Sequence, residues 1–183
     1  PVTFAEVQKC CVSDSWVIPT EVTEGLKKEK TWAGVDWGTG DGSYTILSIW
    51  KYDSGGRFSL VFAKRYEGRE SDPEYSWRNI IEVCRLYNVN RVGCDWGFGF
   101  YTNAQLRSAL GQNRVTLYQH TGSQKEKVRW DQKGGKFTTH RNRVLQDLFT
   151  LIKKGPTSGG VSFPKWDIME TFAQDILCIY SEF

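Results

Sequence analysis

A seven-residue pattern, Gly-x-Asp-Trp-Gly-x-Gly, occurs twice in this chain, at residues 34–40 and 93–99. Each copy closes an apolar run: Trp32-Ala33-Gly34-Val35 precedes Asp36, and residues 89–94 precede Asp95. Short apolar runs bounded by turn residues read as buried strands, and the glycines after each acid let another group approach the backbone closely. The chain must therefore leave a carboxylate at the end of each of two buried strands. The first copy leads into a hairpin sequence and the second into a helical one, so the duplication marks two strand ends and not an internal repeat. Two such acids on neighbouring strands would make a metal site.

The rest of the chain supplies the frame for those strands. Residues 1–30 read as a helical or irregular lead-in ending in a charged run at residues 24–30, with the look of a linker from a missing upstream domain. From residue 31 the pattern turns strand-like, with strands expected at 32–36, 43–52 and 57–66, joined by Thr39-Gly40-Asp41-Gly42 and Asp53-Ser54-Gly55-Gly56, which suit tight antiparallel turns. Ser71-Asp72-Pro73-Glu74 offers a capped helix start with Pro in the first turn, and Trp77, Ile80, Ile81 and Cys84 come after it at helical spacing. A strand at 91–95, a helix at 102–110 closed by Gly111, and a strand at 114–120 come next. A further helix over 139–154, the run Val161-Ser162-Phe163-Pro164 and an amphipathic helix from Trp166 to about Tyr180 complete the chain.

At 183 residues there is room for one well-buried domain, residues 31–183. No apolar run approaches the roughly 20 residues that span a bilayer. Five cysteines, odd in number and without a Cys-x-x-Cys spacing, imply a reducing compartment. The formal charge of +3 is unevenly spread: residues 121–154 carry 9 Lys/Arg against 3 Asp/Glu. Within that stretch lies a glycine-bearing segment, 122–140, expected to be a projecting hairpin or loop. A localised surplus of this kind is what binding a polyanion requires.

Three meandering strands, then helix-strand-helix-strand, with acids on the first and fourth strands, is the α/β arrangement of the ribonuclease H-like fold. Its mixed five-stranded central sheet is flanked by helices and makes strands one and four neighbours, so Asp36 and Asp95 would serve the same cations. Phosphodiester hydrolysis needs an activated water, charge neutralisation and a stabilised leaving oxygen, which two divalent ions about 3.5–4 Å apart provide. Oxygen donors favour Mg2+ or Mn2+ over softer metals. Trp37 and Trp96 are expected to pack beside the acids, and Asp41 and Asp53 to be turn formers. His140 is expected to cap a helix or face DNA.

Val35-Asp36-Trp37-Gly38, Asp95 after Arg91-Val92-Gly93-Cys94, the helix beginning near His140 and the run Val161-Ser162-Phe163-Pro164 resemble, in that order, the C-terminal nuclease domain of the large terminase subunit of tailed bacteriophages. The resemblance spans residues from about 32 onward. It implies a metal-dependent endonuclease that cuts concatemeric double-stranded viral DNA during genome packaging, in the cytoplasm of an infected bacterial host. It also implies a packaging ATPase upstream in the same polypeptide, with the portal and the small terminase subunit as partners; no phosphate-binding loop occurs in this sequence. The family has a third acid on a late helix. Asp175 is the best candidate present, although it lies at the flank of a helix whose polar face carries Asp167, Glu170 and Gln174, and the preferred expectation puts the third acid beyond Phe183. Phosphate contacts would fall to Lys125, Lys127, Arg129, Lys133, Lys136, Arg141 and Arg143.

Three other readings fit parts of the pattern. A Holliday-junction resolvase or transposase core shares fold and metals. A sugar-kinase or actin-like nucleotide-binding domain shares the strand meander and the first phosphate motif. A non-catalytic DNA-binding domain would leave both acids structural.

Overall fold

A computed structural model describes residues 1–38, 42–97 and 99–177. The three meander strands are β2 (Thr31–Asp36), β3 (Thr45–Tyr52) and β4 (Phe58–Tyr66), followed by α3 (Pro73–Leu86), β5 (Arg91–Asp95), α4 (Phe100–Leu110) and β6 (Val115–Thr121). Ahead of them lie α1 (Phe4–Lys9), β1 (Cys11–Ser13) and α2 (Glu24–Lys28). After them come β7 (Val128–Asp131), β8 (Lys136–His140), α5 (Arg141–Lys154), β9 (Val161–Pro164) and α6 (Trp166–Leu177). The sheet order is β1-β9-β4-β3-β2-β5-β6-β8-β7.

The expected five strands hold the centre, β2 between β3 and β5, and four more extend the sheet to nine. The basic segment folds back as the β7–β8 hairpin, and β8 joins β6 in parallel through Tyr118 opposite Phe137 and Thr121 opposite His140. That pairing holds residues 136–140 in strand form, so the helix expected from residue 139 starts at Arg141. At the other edge β9 runs parallel to β4, and β1 runs parallel to β9.

Residues 1–30 are built into this body. Thr3 and Glu6 form a reciprocal capping box on α1, which buries Val7. Cys10 Sγ donates to the Ile152 carbonyl at 3.3 Å, the Trp16 ring lies 5.4 Å from that of Phe62, and Val17 N–H donates to the Val61 carbonyl at 2.9 Å. Such a capping box contributes about 1 kcal/mol, and the buried side chains more than that.

Two cores sandwich the sheet. In one, Ile80, Ile81 and Cys84 of α3 and Leu106 and Leu110 of α4 meet Ala33, Val35, Leu47, Ile49 and Cys94. In the other, Val7, Phe149, Ile152, Met169 and Ala173 from α1, α5 and α6 meet Leu60, Ala63, Val161 and Phe163. Side chains alternate across a strand. Val35 and Cys94 therefore enter the first core, while Asp36 and Asp95 lie toward the side that carries α6. Among the described residues no helix is long and apolar enough to cross a membrane.

Candidate metal centre

Asp36 and Asp95 end neighbouring strands. β2 and β5 are parallel, with Gly34 opposite Gly93 and Val35 opposite Cys94, so the next residue on each strand is the acid. Adjacent strands stand about 4.8 Å apart, which sets the two carboxylates side by side at the C-terminal edge of the sheet. Asp36 is exposed there and Asp95 half-buried. Desolvation by the surrounding protein, and then the charge of Asp95, hold the Asp36 carboxyl above the ordinary carboxylate range, while His120 partly offsets the shift.

The two motif copies interlock, which explains their glycines. After Trp37 the chain runs hard against β3: a Cβ on Gly38 would lie 2.7 Å from the Tyr44 carbonyl carbon, and Gly38 N–H donates to Thr45 Oγ1 at 3.0 Å. In the second copy, Gly97 N–H donates to Asp95 Oδ2 at 2.8 Å, and a Cβ on Gly99 would collide with the indole of Trp37 from the first copy. Buried Trp37 is thus a packing group, as expected. Half-buried Trp96 packs against the same core and lies 3.7 Å below the Lys136 ammonium.

Asn103 joins the site without any motif to mark it. Its side chain is 2% exposed, accepts from Trp37 Nε1 at 2.8 Å and donates to the Asp95 carbonyl at 2.9 Å, tying one acid's loop to the other's. One sequence signal does point to it: Asn103 falls on the apolar stripe of α4 with Leu106 and Leu110, and a polar side chain in such a stripe must find partners. His120 on β6 is likewise a neighbour that no motif announces; its Nδ1 is 2.8 Å from Thr139 Oγ1.

Asp175 is held elsewhere on the same face. Arg65 Nε and Nη2 donate to its Oδ2 at 3.1 and 2.6 Å, and the Tyr44 hydroxyl donates to its Oδ1. In strand register Asp36 lies opposite Ile46 and Ile46 opposite Arg65, so this cluster stands two strands from Asp36, roughly 10 Å. Among the described residues no group of three or more His, Cys, Asp or Glu stands together in a way that could hold a metal ion. Residues 39–41, 98 and 178–183, including Asp41 and Cys178, lie outside the described residues. Asp53 closes the β3–β4 turn, accepting from Gly55 and Arg57 N–H groups at 2.9 and 3.0 Å.

The basic residues fall into two kinds. Lys125, Lys127, Arg129, Lys133, Arg141 and Arg143 are exposed; Lys127 pairs with Asp147, and Arg143 Nη1 donates to the Lys125 carbonyl at 2.7 Å. Lys136 differs. It is 7% exposed, between the Trp96 ring and the Asp131 carboxylate at 3.4 Å, so its charge is spent inside the fold. His140 occupies the N-cap position of α5, where its N–H donates to the Lys127 carbonyl and its side chain makes no capping bond.

Three solved structures share this architecture. The manganese-soaked, inhibitor-bound terminase nuclease domain of human cytomegalovirus aligns with 98% of this chain and 86% of its own, at 12% identity and a TM-score of 0.56. The nuclease domain of the large terminase subunit gp2 of bacterial virus Sf6 covers 94% and 83%, at 14% identity and 0.58. A mutant of that Sf6 domain with calcium gives 94%, 83%, 11% and 0.55. This chain has the fold of a terminase nuclease domain. That fold is ribonuclease H-like, the architecture expected from the strand order. No protein-family model and no curated protein matches the sequence.

Proposed function

We propose that this chain is a divalent-metal-dependent endonuclease domain that cuts concatemeric double-stranded viral DNA during genome packaging in an infected bacterial host. One observation carries the reading: Asp36 and Asp95 end adjacent parallel strands side by side, where desolvation and then the neighbouring Asp95 charge raise the proton affinity of Asp36. Protein sites for Mg2+ commonly supply only one or two carboxylates and leave the remaining positions to water and substrate phosphate. The pair therefore fits the hard cations Mg2+ and Mn2+. Two bound ions would supply an activated water and neutralise charge at the phosphoryl group.

The chain's own residues do the positioning. Asn103 and the Trp37–Gly99 contact fix the spacing of the two acid loops, and Gly97 N–H orients the Asp95 carboxylate. The exposed cations of the hairpin and of the first turns of α5 would grip the DNA backbone without reading sequence. Asp175, already satisfied by Arg65 and Tyr44, is assigned as the anchor of α6. The upstream packaging ATPase, the portal and the small terminase subunit are the partners this reading entails.

The test is nicking of supercoiled plasmid in Mn2+ by the wild-type chain and by Asp36→Asn. Equal rates would remove the metal-site assignment. Preference for four-way junctions over linear duplex would favour a resolvase instead.

A further inference from the structure

Between α4 and the β7–β8 hairpin runs a groove that neither core fills. Two adjoining cavities of about 430 and 300 Å³ share Arg107, Gln112 and Leu117; Phe100 and Trp96 line the first, Trp130 and Phe137 the second. Phe100 is 83% exposed and Trp130 52%. Phe100, the first residue of α4, is in a costly place for a large aromatic ring, and Trp130, on the edge strand of the sheet, packs edge-on against Phe137 with 4.9 Å between ring centroids while half its surface stays open. Arg107 spans the groove, donating from Nη2 to the Gly135 carbonyl of the hairpin turn at 3.2 Å. Its buried Nε has no hydrogen-bond partner among the described residues. Exposed Arg129 and Lys133 belong to the same hairpin. The groove begins at Trp96, the residue after Asp95.

We infer that this groove binds an unpaired DNA strand entering or leaving the Asp36–Asp95 edge. The inference rests on the reading that the substrate is DNA and adds that the substrate is locally opened. Aromatic faces stacked on successive bases, combined with cations along the backbone, are how single strands are held without sequence preference. Here Phe100 and Trp130 supply the faces, Arg107 the charge within the groove, and Lys133, next to the groove-lining Gly134, a further cation at the hairpin turn. A paired duplex keeps its bases stacked on one another and offers such rings nothing comparable.

The experiment is binding of a fluorescent short oligothymidylate, and separately of a blunt duplex, to the Asp36→Asn chain without added metal, followed by anisotropy. Adding Phe100→Ala or Trp130→Ala should each weaken oligothymidylate binding about tenfold while moving duplex binding less than about twofold. Phe100 is too exposed for its loss to unfold the domain, so that variant keeps the result interpretable. Unchanged oligothymidylate binding, or equal losses on both ligands, overturns the groove. The outcome is independent of cleavage: a chain that binds in this pattern yet nicks plasmid equally well with Asp36→Asn would sink the metal assignment and leave the groove standing.

Discussion

Two carboxylate clusters occupy one face of this sheet, about two strands apart, and they are built on opposite principles. At Asp175 the charge is fully answered: a bidentate arginine takes one oxygen and a tyrosine hydroxyl the other. At Asp36 and Asp95 no ion pair answers it among the described residues, and two acids are held against each other by an interlocked backbone and a buried asparagine. A satisfied carboxylate stabilises a fold. One kept beside another of like charge costs stability and persists when something else uses it. The contrast supports the proposed division, with anchoring at Asp175 and chemistry at the pair.

The largest expected difference is in cleavage. Asp36→Asn or Asp95→Asn should lower Mn2+-dependent plasmid nicking on the order of a thousandfold, the scale of several kcal/mol of metal-supplied stabilisation. Asp175→Ala should leave the rate within about threefold of wild type by the same assay, since a structural ion pair contributes nothing to the barrier. A collapse of activity in Asp175→Ala with a folded chain would merge the two clusters into one site.

The next effect is on stability. Asn103→Ala strands the Trp37 N–H and the Asp95 carbonyl, and should cost about 1–3 kcal/mol in chemical denaturation. Asp175→Ala removes charge-assisted bonds at a partly exposed position and should cost about 1–2 kcal/mol. Asn103→Ala should also weaken Mn2+ binding, which Asp175→Ala should not.

Much of this frame is legible in the sequence, and the parts that are not share a physical cause. The meander, the capped α3 and the two acid-bearing strands follow from local periodicity and turn chemistry, which each segment carries by itself. The pairing of the four added strands with the sheet does not: the segment 122–140 reads as a projecting hairpin or loop and β8 joins β6, while β9 is four residues long and pairs with β4 across a long stretch of chain, Phe58 with Val161, so neither its length nor its neighbours announce it. The same holds at the site. Asp36 and Asp95 are legible because strand order fixes their meeting, whereas Asn103 matters through two partners that only packing reveals. Lys136 looks like its six basic neighbours until the fold places it over Trp96.

Smaller still is the ionic response of the hairpin. Changing Lys125, Arg129 and Lys133 to Ala together should flatten the salt dependence of duplex binding by about 0.9 in log–log slope for each phosphate that is no longer neutralised. Lys136→Ala should leave that slope unchanged and lower stability instead. A slope unaffected by the triple change would take the hairpin out of the DNA interface.

The smallest effect concerns proton linkage at Asp36. A carboxyl whose folded pKa is raised favours the folded state when protonated, and that contribution is lost as pH rises through the folded value. In metal-free protein Asp36→Asn should therefore melt higher than wild type near neutrality, with the gap closing as pH falls through the ordinary carboxylate range. Wild type melting higher at neutral pH would mean that the protein already answers the Asp36 charge.

Mn2+ binding measured directly, by titration calorimetry on the wild-type chain, Asp36→Asn, Asp95→Asn and Asp175→Ala, tests the contrast most simply. Loss of binding in both asparagine variants and retention in Asp175→Ala is the predicted result; unchanged affinity in Asp36→Asn would contradict the assignment of the metal to the paired acids.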